Sequence, residues 1–293
     1  MPKVVRIGGR IGAEIIGADL TDPDAFPTEE INRLLLEHKA LIFRDAGLDE
    51  AGHRDFAARF GALTRAHPTV PSAEGLPEVL AVDADTGHRA NVWHTDVTFV
   101  RTPPKISTLR AIKLPPYGGD TLIANAAAAY RDLPEPLREL ADRLWAVHSN
   151  AYDYATPAKS AEYRRVFTSK VYQTAHPVVR EHPETGERTL FIGGFAQRIV
   201  GLSGTESRDI LRILQSYVTR PENIVRVRWN VGDLVVFDNR ITQHYAPDDY
   251  DDRPRLLHRI TVAGGPVTGL DGRQSYVVEG DDATDYTAPV KAA

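Results

Sequence analysis

Asn91-Val92-Trp93-His94-Thr95-Asp96-Val97-Thr98-Phe99 is the stretch on which the reading of this chain turns. Val92, Val97 and Phe99 favour an extended backbone, and alternate residues of a strand share a face, so His94 and Asp96 are expected to project together. An imidazole and a carboxylate then converge on one point. Such a tripeptide arises often by chance, and a buried His-Asp hydrogen bond is an ordinary structural feature, so the pair does not define a site alone.

A third member changes this. Gln243-His244-Tyr245 follows the strand-like run Leu234-Val235-Val236-Phe237-Asp238, and arginines follow it in turn. Two histidines and one carboxylate, with the remaining positions open, are the facial ligand set of non-haem Fe(II) oxygenases. Structural metal sites are usually closed by four protein ligands, and no fourth is evident in the sequence. Further on, Arg255, Leu257, Arg259 and Thr261 share one face of the strand-like segment Arg255 to Val262. In a strand the two arginine Cα atoms are about 13 Å apart, a spacing that suits two different anions or an ordinary solvated edge.

Working outward, short strands are expected at Val4 to Ile7, Glu14 to Ile16, Ala40 to Phe43, Val79 to Val82, Ile106 to Ile112, Thr121 to Ile123 and Val225 to Trp229. His182 to Glu187 reads as a hairpin turn between Val178-Val179 and Leu190-Phe191-Ile192. Helices are expected from Thr28, which can cap, from Asp49, from about Asn125, over Pro136 to Trp145, and after the Ser203/Glu206 capping box. The region Tyr152 to Gln173 has no steady period and is read as a mobile lid. Many short strands with a few covering helices indicate a mainly β fold, a double-sheet jelly roll able to hold a metal between its sheets.

Composition limits the alternatives. The 293 residues, 42% hydrophobic and 26% charged with no linker-like tract, read as a single domain over 1–293. A net charge of −5 and a pI near 6.1 lack the basic footprint of a nucleic-acid binder. There is no cysteine, so any metal must be held by nitrogen and oxygen. Neither a signal-like start nor a span of transmembrane length is present, and the protein reads as soluble and cytoplasmic, with no membrane partner.

Trp93-His94-Thr95-Asp96-Val97-Thr98-Phe99, Gly118-Gly119-Asp120-Thr121, His176-Pro177-Val178-Val179-Arg180, Asp238-Asn239-Arg240-Ile241-Thr242-Gln243-His244-Tyr245 and Leu257-His258-Arg259 resemble, in order, the taurine dioxygenase (TauD) family of Fe(II)/2-oxoglutarate-dependent dioxygenases. The resemblance runs from about Ile11 to about Gly265. It implies Fe(II) held by His94, Asp96 and His244, 2-oxoglutarate bound through Arg255 and Thr121, and O2 as oxidant. It also implies that Arg259 and His67 take the sulfonate or sulfate of an organosulfur substrate. Oxidative decarboxylation of 2-oxoglutarate to succinate and CO2 would accompany hydroxylation of the carbon beside the sulfonate or sulfate. Sulfite or sulfate and an aldehyde would then be released. The family also suggests a dimer or tetramer.

The chain departs from taurine dioxygenase proper where that enzyme surrounds the taurine amine. Val70 and Ala90 replace a tyrosine and an asparagine, and Ser149-Asn150 stands where a phenylalanine is expected, although Phe195 keeps one aromatic wall. Lost hydrogen-bonding groups disfavour a small ammonium and favour a longer apolar chain. Tyr130 to Leu137 and His148 to Tyr154 also look like the alkylsulfatase branch. The expectation is an alkyl sulfate or alkylsulfonate substrate, with taurine as runner-up. A carboxylate substrate such as an aryloxyalkanoate, or a non-catalytic metal-binding jelly-roll protein, are the competing readings.

Overall fold

A computed structural model describes residues 2–86, 90–151 and 161–287. Its largest sheet has seven strands, in spatial order Lys3–Arg6, Ala13–Ile16, Ala40–Phe43, Leu234–Asp238, Ile106–Lys113, Leu256–Val262 and Leu80–Asp83. All neighbours are antiparallel except Ala13–Ile16 beside Ala40–Phe43.

The two faces of this sheet bury different things. Leu41, Phe43, Leu234, Val236, Ile106 and Val262 point to one side, where they pack with Ile31, Leu34 and Leu35 of the helix Thr28–His38 and Phe56 of the helix Glu50–Ala58. Ala40, Ile42, Val235, Phe237, Leu109, Ala111 and Leu257 point to the other, where they meet Ile123, Val225 and Val227 of a second β layer. Period-2 alternation in buried strands produces this division, and each large side chain so buried is worth about 1.5–3 kcal/mol. The second layer comprises a three-stranded sheet, Ile224–Val227, Thr121–Asn125 and Thr242–Tyr245, and a four-stranded one, Ala196–Ile199, Trp145–Ser149, Gln173–Pro177 and Tyr276–Glu279. Two facing, mainly antiparallel layers with helices outside make the jelly-roll architecture expected from the sequence.

Local signals met with mixed outcomes. Asp49 accepts a hydrogen bond from the Gly52 N–H at 2.8 Å, and Ser203 with Glu206 forms a capping box at the start of the helix Gly204–Val218. Thr28 does not cap: Pro27 is the N-cap residue, and the Thr28 hydroxyl instead accepts from Arg59 Nε. The helix expected over Pro136 to Trp145 is Glu135–Ala141, because Trp145–Ser149 is drawn into the four-stranded sheet with all five residues buried. Of the segment read as a lid, 152–160 lies outside the described residues, while Ala161–Phe167 is a helix that buries Phe167. Among the described residues no helix is long and apolar enough to cross a membrane.

Candidate active site

The stretch from Asn91 to Phe99 is not the regular strand that its β-branched residues suggest. It makes an isolated antiparallel bridge at His94 and then turns, with Val97 at φ 54°. At the bridge His94 N–H donates to the His244 carbonyl at 3.0 Å and His244 N–H donates back at 2.8 Å, which sets the two imidazoles side by side, ring centroids 4.0 Å apart. A left-handed conformation at a β-branched residue costs of order 1–3 kcal/mol and clusters at functional sites. Here it lies one residue beyond Asp96.

The Asp96 carboxylate completes the group. Its Oδ1 lies 3.9 Å from Nε2 of both His94 and His244, all three side chains are buried, and their ligating atoms fall within 4.8 Å of one another. Several neighbours hold this arrangement. His94 Nδ1 is 2.7 Å from the Val92 carbonyl, so Nδ1 carries the proton and the Nε2 lone pair is directed at the cluster. His244 packs its ring on Phe237, 4.9 Å between centroids. Asp96 N–H donates to Asn239 Oδ1 at 2.9 Å, while Asn239 Nδ2 donates to the Asp96 and Pro104 carbonyls. Ser107 Oγ donates to Asp96 Oδ2 at 2.6 Å, and Arg259 Nη1 contacts Oδ1.

Charge follows from this environment. Burial opposes ionisation of Asp96, but Arg259, His244, His94 and the Ser107 hydrogen bond outweigh it and hold the carboxyl well below the usual carboxylate range. Burial pushes His244 down to about 3 and lowers His94 as well, against the attraction of Asp96. Two neutral imidazoles and an anionic carboxylate are the protonation states a divalent cation requires. The donor set therefore fits a metal of the 2-His-1-carboxylate type.

The strand registers place the other candidates. Thr121 and Ile123 lie on the inner face of the second layer, with His244 paired opposite Ile123. In the large sheet Arg259 pairs with Leu109 and Thr261 with Ser107, so all four face inward. Arg255, one residue before its strand, is also buried; its Nη2 lies 3.4 Å from Thr121 Oγ1 and its Nε donates to the Gly119 carbonyl at 2.8 Å. Gly119 has φ +69°, and a Cβ there would meet Arg255 Cδ at 3.1 Å, so glycine is needed both for the turn and for the arginine's passage. One small cavity is lined by His94 and His244 together with Thr121, Arg255, Arg259 and Ala90.

His67 and Val70 line a different, larger cavity of about 580 Å³. His67 Nδ1 accepts from the N–H groups of Thr69 and Val70, both at 3.1 Å, so the neutral ring carries its proton on Nε2 and can donate to an anion. Arg259 links the two regions: while Nη1 touches Asp96, Nη2 donates to the Ala66 carbonyl at 3.1 Å, beside His67. Phe195 stands edge-on to His94, centroids 5.9 Å apart, in a cluster with Phe99 and Phe167.

Three contributors escaped sequence reasoning. Ser107 shares the inward face of its strand with Leu109 and Ala111, and only the fold shows that Asp96 lies above it. Asn239 sits within the Asp238 to Tyr245 motif, and its role becomes visible only when the chain end folds back on Asp96. Trp229 Nε1 donates to Thr121 Oγ1 at 3.0 Å from a strand-end position that carries no special signal.

The chain is similar to known proteins over nearly its whole length. Residues 3–261 match the family described as taurine catabolism dioxygenase TauD, TfdA family. The chain is 52% identical over 277 residues to an alpha-ketoglutarate-dependent sulfate ester dioxygenase of Pseudomonas putida, with 92% of each chain covered. It is 48% identical over 275 residues to an alkylsulfatase of Acinetobacter baylyi, covering 91% of this chain and 86% of the relative. Among solved structures, a putative alpha-ketoglutarate-dependent taurine dioxygenase from Burkholderia xenovorans superimposes with a TM-score of 0.83 at 39% identity, covering 96% of this chain and 99% of its own. The chain belongs to the TauD/TfdA family of 2-oxoglutarate-dependent dioxygenases.

Proposed function

We propose that the protein is an Fe(II)- and 2-oxoglutarate-dependent sulfate ester dioxygenase that hydroxylates the carbon bearing the sulfate of an alkyl sulfate. The observation that carries this reading is the single cavity that joins His94 and His244 to Thr121 and Arg255. His94, Asp96 and His244 would hold the metal, and the names of the close relatives in Pseudomonas putida and Acinetobacter baylyi favour a sulfate ester substrate.

Bound Fe(II) supplies the O2 activation that couples 2-oxoglutarate decarboxylation to C–H hydroxylation. The protein's residues supply position and charge. Arg255 offers the planar, two-pronged donor that suits the distal carboxylate of 2-oxoglutarate, with the Thr121 hydroxyl beside it held by Trp229. Arg259 and His67 Nε2 take the sulfate, whereas the side chains of Val70, Ala90 and Phe195 offer no hydrogen-bonding group to taurine's ammonium. The Phe99, Phe167 and Phe195 cluster keeps water from the His94 side. One oxygen atom of O2 enters succinate and the other the substrate C–H bond. The hydroxylated carbon then carries both OH and sulfate; as the hydroxyl proton leaves, the carbon–oxygen bond to sulfate breaks, giving an aldehyde and sulfate.

A cytoplasmic location suits a cysteine-free protein, and a dimer or tetramer is suggested by the family resemblance.

The test is anaerobic absorption after addition of Fe(II) and 2-oxoglutarate, followed by O2 and a panel of hexyl sulfate, hexylsulfonate, taurine and an aryloxyacetate. The expected result is a weak visible charge-transfer band, weakened in Arg255→Ala and abolished in His94→Ala, with sulfate released fastest from hexyl sulfate. Absence of the band overturns the dioxygenase assignment, and preferential turnover of taurine or the aryloxyacetate overturns the substrate class.

A further inference from the structure

The hairpin joining Val179–Glu181 to Arg188–Leu190 supplies none of the metal-binding side chains, yet its first turn residue is tied to them through one short stretch of chain. His182 N–H closes the hairpin on the Glu187 carbonyl at 2.8 Å. The His182 Nδ1 atom accepts from the N–H groups of Glu184 and Thr185 at 3.3 and 3.2 Å, so the neutral ring carries its proton on Nε2. That Nε2 donates to Asp238 Oδ2 at 2.9 Å, and both side chains are buried. The other donors to this carboxylate come from its own turn: Arg240 N–H and Nε to Oδ1, both at 2.9 Å, and Arg240 Nη2 to Oδ2 at 2.7 Å. Among the described residues, His182 is the side chain that ties the Asp238 carboxylate directly to a distant segment. Arg240 Nη1 adds a second link to the hairpin at its half-exposed rim, donating to Glu184 Oε1 at 2.5 Å.

Between Asp238 and Arg240 stands Asn239, whose side chain reaches Asp96: Oδ1 accepts from the Asp96 N–H at 2.9 Å, and Nδ2 donates to the Asp96 and Pro104 carbonyls. The same turn also touches the segments that carry the histidines. Thr242 Oγ1 donates to the Asp238 carbonyl at 2.8 Å, and the Thr242 carbonyl accepts at 2.8 Å from the hydroxyl of Thr95, which lies between His94 and Asp96. Burial opposes ionisation of Asp238, but the His182 hydrogen bond and Arg240 outweigh it and hold the carboxyl well below the usual carboxylate range. A buried anion that loses one donor keeps the full cost of the unsatisfied oxygen, so the turn would shift to recover it. We infer that His182 is a positioning residue for the metal-binding group: it anchors the Asp238 carboxylate and, through that anchor, aims Asn239 at Asp96. This role rests on the metal-binding reading of His94, Asp96 and His244. A bond that merely fastened the hairpin would set folding stability and leave the placement of Asp96 alone; acting through Asn239, it sets metal affinity as well.

The experiment uses the full-length protein with Mn(II) as the probe, affinity being read by paramagnetic resonance titration and stability by urea unfolding of the metal-free protein. His182→Phe keeps a flat ring and loses the Nε2 donor; it is expected to weaken Mn(II) binding about tenfold, the scale on which outer hydrogen-bond partners of metal-binding side chains act. His182→Gln, whose amide can place an N–H near the Nε2 position, should bind Mn(II) within about threefold of wild type. A double-mutant cycle reads the route: in an Asn239→Ala background His182→Phe should change Mn(II) affinity by less than about twofold, while the urea midpoint still falls. His182→Leu and Asn239→Ser take the places of variants that do not fold, with the same outcomes expected. Mn(II) affinity within about twofold of wild type in a folded, less stable His182→Phe protein would assign the residue to stability alone and overturn the inference. A loss of about tenfold that persists in the Asn239→Ala background overturns it too, as does a His182→Gln protein that binds as weakly as His182→Phe. Wild-type protein that takes up no Mn(II) overturns the metal-binding reading, and the role of His182 with it.

Discussion

The Arg259 guanidinium rests on Asp96 Oδ1, the oxygen that lies 3.9 Å from Nε2 of both His94 and His244. Arg259 is thus the cationic side chain that compensates the buried carboxylate on the side it turns to the two imidazoles. Removing one partner of a buried ion pair leaves the other uncompensated, at a cost of about 3–5 kcal/mol. Arg259→Ala should therefore lower the stability of the metal-free protein by about 3 kcal/mol, and metal should restore most of it. Mn(II) affinity should match or exceed wild type because a repelling charge is gone. Denaturant unfolding with and without Mn(II) measures both, and a variant whose metal affinity falls tenfold would contradict this account.

Ser107 holds the other oxygen of Asp96. Outer hydrogen-bond partners of metal-binding side chains are worth about 10–100-fold in affinity. Ser107→Ala is expected to weaken Mn(II) binding at least tenfold, read by paramagnetic resonance titration, while changing the apo protein's stability by about 1–2 kcal/mol. Equal affinity in the two proteins would mean that the arginine and backbone contacts suffice to place Asp96.

At the other end of the cavity, Arg255→Ala removes a buried charge-assisted donor, a loss of about 2–5 kcal/mol for a carboxylate ligand. The KM for 2-oxoglutarate should rise by roughly two orders of magnitude. Trp229→Phe removes only the hydrogen bond that orients Thr121, worth about 1 kcal/mol, so a rise of about fivefold is expected. Similar KM values for both variants would show that Arg255 does not face the cosubstrate.

His53 offers a pH test remote from the metal-binding group. It is fully buried between the helix Glu50–Ala58 and the large sheet, with Nε2 2.8 Å from Thr108 Oγ1. Burial, assisted by Arg110 and His258, pushes its pKa down to about 3. Between an unfolded pKa of about 6.5 and that folded value, the unfolded chain takes up a proton that the folded protein refuses. Stability must then fall with decreasing pH by up to about 1.4 kcal/mol per unit from this group. His53→Gln should be less stable than wild type at pH 7 and show a shallower decline toward pH 4.5 in urea unfolding. Parallel slopes would remove His53 as a source of acid lability.

Much of this was legible in the sequence because it depends on local periodicity and on residue chemistry. The two faces of Leu256–Val262 could be told apart because alternate residues of a strand share a face, whereas Ala40–Phe43 and Leu234–Asp238 are apolar runs buried on both faces and were legible only as strands. His94, Asp96 and His244 could be nominated because few residue types bind metal and because two histidines with one carboxylate form a recognisable set. Arg255 and Arg259 share a face by period-2 alternation alone.

The tertiary structure decided what local rules do not encode. Val97 takes a left-handed conformation against its own preference, because the His94–His244 bridge and the Asn239 clasp fix the chain on either side of Asp96. Trp145–Ser149 is a strand, and not the end of a helix, because the edges offered by Gln173–Pro177 and Ala196–Ile199 satisfy its backbone groups. Ser107, Trp229 and His182 acquired their places through contacts spanning 11 to 108 residues of chain. Sequence alone determined which chemistry the chain can hold and which faces turn inward; long-range packing decided where those groups meet, because hydrogen bonds and burial between distant segments outweigh the few tenths of a kcal/mol of residue propensity.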